Sequence, residues 1–406
     1  MILAMITQRS GYLRSYASSS KNSSAFYKKA LRASLCAVFF VAGCRGNTSA
    51  DYSSLNPPYA LSTAAAPAMD SRAQPACPRP MPPVKDLMLG GVYKKSDPTR
   101  SEIDEDAQKI YQGQTAKLNS FENRLSALTN DYLKTNKKDG RSAYCALDWL
   151  YTWAAADAFL GEVNVQGGYA RQWSLGTLSS SYMQVRDFPF DENKKVAIEK
   201  WLLEIAGRVM NDYADISTYI RKQNNHLYWA AWAITETGIA TDHRELYDWG
   251  VGKVKYALHV QVQNDGTLPL ELIRGQKALQ YHVFALVPLV MVSEAAMNNG
   301  EDLYEVNDGA LHKLVTVTFE GLKDSSYFEK LTNHKQISSA SMSDGHFSWL
   351  EAYNARFPAP EYEAFLKQHR PIVSRRTGGD MTFLYGRSLH SPPLRPALEP
   401  VDKEPR

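Results

Sequence analysis

The side chains best able to do chemistry fall in four short segments. The first, Asn224-Asn225-His226-Leu227-Tyr228-Trp229-Ala230-Ala231-Trp232, sets two amides and an imidazole at the head of an apolar run. Asparagine caps helix N-termini, so a helix is expected to begin here, with Asn225, Trp229 and Trp232 on one face. The positive end of such a helix suits a carboxylate or a developing oxyanion. An N-cap amide beside a core histidine is the plainer reading, and spacing alone leaves both open. The second segment runs from Glu271 to His282 and places Arg274, Ala278 and Tyr281 on one helical face. A guanidinium within reach of a phenol lowers its pKa toward usable values. A surface Glu271–Arg274 ion pair beside a packed tyrosine is the alternative. Third, Tyr93-Lys94-Lys95 follows Gly90-Gly91 on a polar loop that would serve as a lid, or as a solvated lysine pair. Fourth, Gln166, Tyr169 and Trp173 offer rings that would stack on a sugar face or pack in a core.

Other chemistries lack their signatures. The chain contains no GxSxG, P-loop, GxGxxG, CxxC or HExxH pattern, so no metal and no cofactor are expected. With 14 Phe, 8 Trp and 23 Tyr, the chain is too aromatic to be disordered as a whole. Its formal charge of +3 misleads, because six basic residues and no acid lie within residues 1–44. Without that segment 40 basic residues face 43 acidic ones, which argues against nucleic-acid binding by bulk charge. Any anion must be held by a local basic site.

Lys28, Lys29 and Arg32 precede the apolar run 33–43, which is the pattern of a signal peptide and short for a membrane span. Val41-Ala42-Gly43-Cys44 resembles a bacterial lipobox, in which Cys44 would be lipidated; plain cleavage beside a chance cysteine stays open. Nothing beyond this run reads as long and apolar enough to span a bilayer. The mature chain is therefore expected to be periplasmic, soluble or lipid-tethered, and monomeric. Export permits disulfides, and Cys77 and Cys145 are the two cysteines left to form one.

The elements that must position these groups are helical. Apolar residues recur at helical spacing near 101–135, 141–159, 169–186, 192–212, 225–239, 242–263, 270–298 and 308–322. Breaks fall at sites such as Lys138-Asp139-Gly140 and Asn264-Asp265-Gly266. Helical hairpins over some 300 residues predict an all-α fold of packed pairs, curving into an α/α solenoid or toroid with a cleft at one end. The organisation expected is a signal peptide at 1–44, a Ser/Ala/Pro-rich arm without its own core at 45–85, the main domain at 86–390 and a polar tail at 391–406.

Together the clusters resemble the periplasmic alginate lyases of polysaccharide lyase family 5. Matching segments are Cys145–Trp149, Trp173–Ser179, Asn224–Trp232, Glu271–His282 and Arg376–Gly379, in the family's order. The resemblance implies an incomplete α/α toroid with a deep cleft, acting on poly-β-D-mannuronate by β-elimination. It implies Asn225, His226, Arg274 and Tyr281 as catalytic residues, and Tyr93 as a lid tyrosine. Gln166, Tyr169, Trp173 and Arg376 fall on substrate-contact positions, and the Cys77–Cys145 pair resembles a family disulfide. Alginate is the implied partner, with the alginate export complex a further one. Two departures stand out. Val92 precedes the lid tyrosine where members tend to carry lysine, leaving Lys94 or Lys95 as substitutes; Asn354 and Pro358 stand where some members carry a second cysteine pair. In this chemistry Tyr281, its pKa lowered by Arg274 and His226, takes H5 and returns the proton to O4. The one position that stays awkward is Arg274, two helical turns from Tyr281 and too far for contact along a straight helix, so a bend of the helix or His226 from the neighbouring hairpin must complete the site. A lyase on another polyuronate such as glucuronan, or a non-catalytic polysaccharide-binding scaffold, remains as an alternative.

Overall fold

The computed structural model of the protein describes residues 54–61, 64–66, 75–214 and 223–386. The expected signal run, Cys44 and the C-terminal tail lie outside them. The helices are α1 (Glu105–Lys134), α2 (Gly140–Ala155), α3 (Val165–Val185), α4 (Glu192–Asp212), α5 (Asn225–Ala240), α6 (Arg244–Tyr256), α7 (Pro269–Leu272), α8 (Ala278–Asn298), α9 (Val306–Lys323), α10 (Ser326–Thr332), α11 (Ser348–Arg356), α12 (Pro360–His369) and α13 (Met381–Gly386).

Sequence character sorts them into two layers. Helices α3, α5 and α8 are buried almost all round, as befits helices with no polar face. They pack side by side as the inner wall, α3 on α5 and α5 on α8, flanked by α1 and α11. Helices α2, α4, α6 and α9 each bury one stripe and cover the wall from outside. The α3–α5 seam is close because its contacts are small: Ser179 meets Thr237 at 2.8 Å, and Ser180 donates to Glu236 at 2.8 Å. A Cβ at Gly176 would come within 3.2 Å of the Trp232 indole.

The α8 region, Gly275–Asn298, is long and apolar enough to cross a membrane, contrary to expectation, but 83% of that window is buried by protein. It is the centre of the core. The described residues of the arm lend side chains to this core: Leu55 and Tyr59 are buried in it. Further along, the Trp149 and Trp153 indoles donate to the Pro78 and Met81 carbonyls at 2.7 and 3.0 Å. Cys77 and Cys145 are bridged, which ties this arm to α2. Asn354, which stands where some family members carry a cysteine, spans the α11–α12 turn, donating to Glu363 and accepting from Ala359 N–H.

Past α12 the chain forms a two-residue hairpin, β1 (Val373–Ser374) with β2 (Gly379–Asp380), around a turn at Arg375–Thr377. That turn packs on α1 and α3 and sets Arg376 at the cleft. Two helix boundaries differ from the sequence reading. Helix α2 stops at Ala155, because Asp157 and Phe159 take left-handed backbone. The 270–298 run is not one helix: it breaks between α7 and α8, where Gly275 has φ +55°.

Candidate active site

That break brings the site together. On an unbroken helix Arg274 would stand about two turns from Tyr281. With the chain turned at Gly275, its guanidinium carbon lies 3.6 Å from the centre of the Tyr281 ring. Of the two ways expected to complete the site, the structure shows the bend. Arg274 Nε donates to the Thr99 carbonyl at 3.0 Å, and Nη2 donates to the Arg100 carbonyl. Arg274 therefore holds both the tyrosine and the loop that covers it.

The loop is a pinned hairpin. Tyr93 bridges Ile103, Lys94 N–H donates to the Glu102 carbonyl, and Asp97 accepts from the backbone of Thr99, Ser101 and Glu102. It sets the Tyr93 hydroxyl 2.7 Å from the Tyr281 hydroxyl. Neither lysine proposed for the lid reaches this point: Lys94 pairs with Glu102, and Lys95 is exposed. A residue that sequence reasoning passed over does. Lys277 is buried, with its ammonium 4.9 Å from the centre of the Tyr93 ring.

The Tyr281 phenol is not lowered overall. Burial raises it above the ordinary tyrosine range, Arg274 pulls it down, and the charge and hydrogen bond of Tyr93 push it up. His226 lends no positive charge either. Burial, then the charges of Arg274 and Arg100, hold its imidazole down at about 3, so the ring is neutral. It lies flat on Tyr169, centroids 3.6 Å apart, and Nδ1 has no hydrogen-bond partner among the described residues. The His226 carbonyl is fixed by Gln172 Nε2 at 3.1 Å and the Tyr213 hydroxyl at 2.9 Å.

Helix α5 starts as the sequence predicts, with Asn224 Oδ1 accepting from His226 N–H. The carboxylate expected at its N-terminus is the protein's own. Glu271 is fully buried rather than paired at the surface, and its Oε1 accepts from Asn225 N–H at 2.7 Å. The Asn225 amide nitrogen donates to both Glu271 oxygens, at 2.9 and 3.0 Å. Burial raises this carboxyl to about 7, against the hydrogen bonds from Asn225 and the charge of Arg274.

Opposite the loop, rings line the cleft. Trp173 and Trp229 flank Phe284, and Arg376 lies over all three rings, 4.2 Å from the Trp173 centroid. The Trp232 indole donates to the Arg376 carbonyl at 2.8 Å, and Gly176 leaves room for that contact. Burial, then neighbouring Arg375, lowers the Arg376 guanidinium to about 10. Arg375 turns away to Glu122 at 2.8 Å. Gln166 stands half-buried on the first turn of α3, one turn before Tyr169; no side-chain hydrogen bond joins it to the group among the described residues. The described residues hold no cluster suited to a metal ion.

Comparison with known proteins agrees with this geometry. The alginate lyase of Cobetia marina is 34% identical over 315 residues, spanning 75% of this chain and 82% of that one. The alginate lyase of Pseudomonas aeruginosa (strain LESB58) is 34% identical over 323 residues, spanning 77% and 86%. Among solved structures, alginate lyase A1-III of Sphingomonas species A1 superposes with a TM-score of 0.66 at 26% identity, covering 79% of this chain and 88% of that one. Its tyrosine-to-phenylalanine variant, in complex with a tetrasaccharide, superposes at 0.67. The fold is that of the α/α-toroid lyases. The alginate lyase sequence family matches residues 91–328, and the chain belongs to that family.

Proposed function

We propose that the protein cleaves the β-1,4 bonds of polymannuronate by β-elimination, leaving 4,5-unsaturated uronates, with Tyr281 as the proton-transfer residue. The observation that carries this reading is the placement of the Tyr281 hydroxyl under Tyr93 with Arg274 against its ring. C5–H is a poor acid while the adjacent carboxylate keeps its charge. Arg274, with Asn225 and the neutral His226, would bind that carboxylate and stabilise the enolate-like transition state. A substrate that displaces Tyr93 from Tyr281 removes both of the Tyr93 effects that raise the phenol. In β-D-mannuronate H5 and O4 lie on one side of the ring, so one tyrosine serves as base and then as acid. Trp173, Tyr169 and Arg376 form the opposite wall, where sugar faces and further carboxylates would rest, and Lys277 supplies the cation by the lid.

The bridged Cys77–Cys145 pair and the basic-apolar pattern before Cys44 support a periplasmic site, where the enzyme would clear alginate beside the export complex. Cell fractionation tests the location. The activity is tested by incubating the protein with polymannuronate, polyguluronate and polyglucuronate separately. Ultraviolet absorbance of the unsaturated uronate is expected to rise first and fastest with polymannuronate. New reducing ends without that absorbance would rule out elimination.

A further inference from the structure

The Asn225 amide raises a difficulty for carboxylate binding. To hold a substrate carboxylate it must present N–H, because two carboxylate oxygens and an amide oxygen only accept. In the structure its nitrogen is engaged by both oxygens of Glu271, and its Oδ1 is buried with no partner among the described residues. The backbone N–H of Asn225 fixes which end of Glu271 must stay an acceptor, namely Oε1, at 2.7 Å. Oε2 has no such constraint. A proton on Oε2 would let it donate to the amide oxygen after a half-turn of the Asn225 amide, and the amide N–H groups would then face away from Glu271.

We propose that Glu271 is a positioning residue that takes up a proton from solvent when substrate binds, and thereby turns the Asn225 amide so that its N–H groups meet the uronate carboxylate. The inference rests on the elimination reading above. The groups that face Glu271 bear on its proton: Arg274 beside it, Tyr228 on α5, and Tyr281 on α8. Arg274 favours the ionised form. A substrate carboxylate that engages Arg274 reduces this pull and adds a negative charge nearby, and both changes favour protonation. Burial already holds Glu271 at about 7 without substrate, so the required change is small. Helix α5 aims its N-terminus at the same carboxyl, which explains why the proton is not held permanently.

Glu271→Gln reproduces the neutral acid: its oxygen accepts from Asn225 N–H, and its amide donates to the turned Asn225 oxygen. With wild type first shown to form the unsaturated product from polymannuronate, kcat/KM is followed against pH. Glu271→Gln is expected to keep kcat/KM within about fivefold of wild type near pH 6. Wild type is expected to lose activity as pH rises through the Glu271 titration, and the variant is expected to lose that alkaline limb. A tenfold or greater deficit in a folded Glu271→Gln protein, or an unchanged alkaline limb, overturns the proposal while leaving the elimination reading intact. If Glu271→Gln does not fold, calorimetry of oligomannuronate binding to Tyr281→Phe at about pH 8, in buffers of different ionisation enthalpy, decides. Uptake of close to one proton supports the proposal, and no uptake overturns it. Absence of unsaturated product from wild type would instead defeat the reading on which it rests.

Discussion

The two walls of the cleft are built by different means. Tyr93, Arg274, Lys277 and Tyr281 hang on irregular backbone: a pinned hairpin, a helix broken at Gly275, and the first turn of α8. They are held by hydroxyl and guanidinium contacts that a polar ligand can replace. Tyr169, Trp173, Trp229 and His226 ride on the regular helices α3 and α5, with Arg376 fixed above them. Ring packing holds this wall, and no ligand can substitute for it. On the elimination reading, the exchangeable wall suits proton transfer and the packed wall suits affinity, apart from His226, which would face the reacting carboxylate, because transition-state contacts must be made anew in each turnover.

The division has a sharp test in Tyr281→Phe, which removes one oxygen and leaves the packing. Loss of a residue serving as both base and acid is expected to lower kcat by at least about 10²-fold while oligomannuronate binding persists. Retention of more than about a tenth of kcat would move the chemistry off this wall. On the packed wall, Arg376→Met keeps much of the stacked volume but not the charge. KM is expected to rise about tenfold with kcat within about threefold. A kcat loss larger than the KM change would erase the distinction between the walls.

A smaller effect comes from the neutral His226. Its pKa is depressed to about 3 in the folded protein, against 6.5 for the ordinary group. Above the ordinary value both states are neutral and full stability is present. As pH falls below it the unfolded chain binds the proton first, so stability is lost until the folded pKa is reached. His226→Gln removes that loss. Between about pH 7 and pH 5 the variant is expected to gain about 1–2 kcal/mol relative to wild type in denaturant melts, the half-buried ring being partly screened. A constant difference between the two would mean that the imidazole titrates normally on this wall. The smallest effect is expected for Lys277→Met. KM for polymer should rise about threefold, and the difference from wild type should narrow only in part in high salt, because the ammonium is buried. A drop in kcat instead would place Lys277 among the groups that touch the reaction.

Helical periodicity was enough to read packed helical pairs; which of them form the inner layer follows from the lack of a polar face on α3, α5 and α8, which was not drawn from the sequence. The clusters around Asn225 and Tyr281 were legible as polar groups at or near helix starts. The need for a bend between Arg274 and Tyr281 was legible as one of two alternatives, but its place was not. Glu271-Leu272-Ile273-Arg274 has good helix-forming residues, and only Gly275 marked the turn that puts Arg274 on the Tyr281 ring. Glu271 entered only as one half of a surface ion pair, and Lys277 was passed over, for the same reason. A charged residue on a helix is usually solvated, and their burial depends on a loop and a helix distant in sequence. The pKa of Tyr281 was misjudged in sign because the nearby guanidinium is visible in the sequence and the burial is not.

The grip of Arg274 on the Thr99 and Arg100 carbonyls bears on how the enzyme lets go. A cation that binds a carboxylate in a desolvated cleft normally makes departure slow, since leaving strands the charge. Here the guanidinium has two backbone acceptors waiting on the hairpin. As the cleaved chain withdraws, those carbonyls would take the place of its oxygens, so that product could depart without a stage in which the buried cation is bare. A stiffer or displaced 97–101 turn is therefore expected to slow product release before it affects bond cleavage.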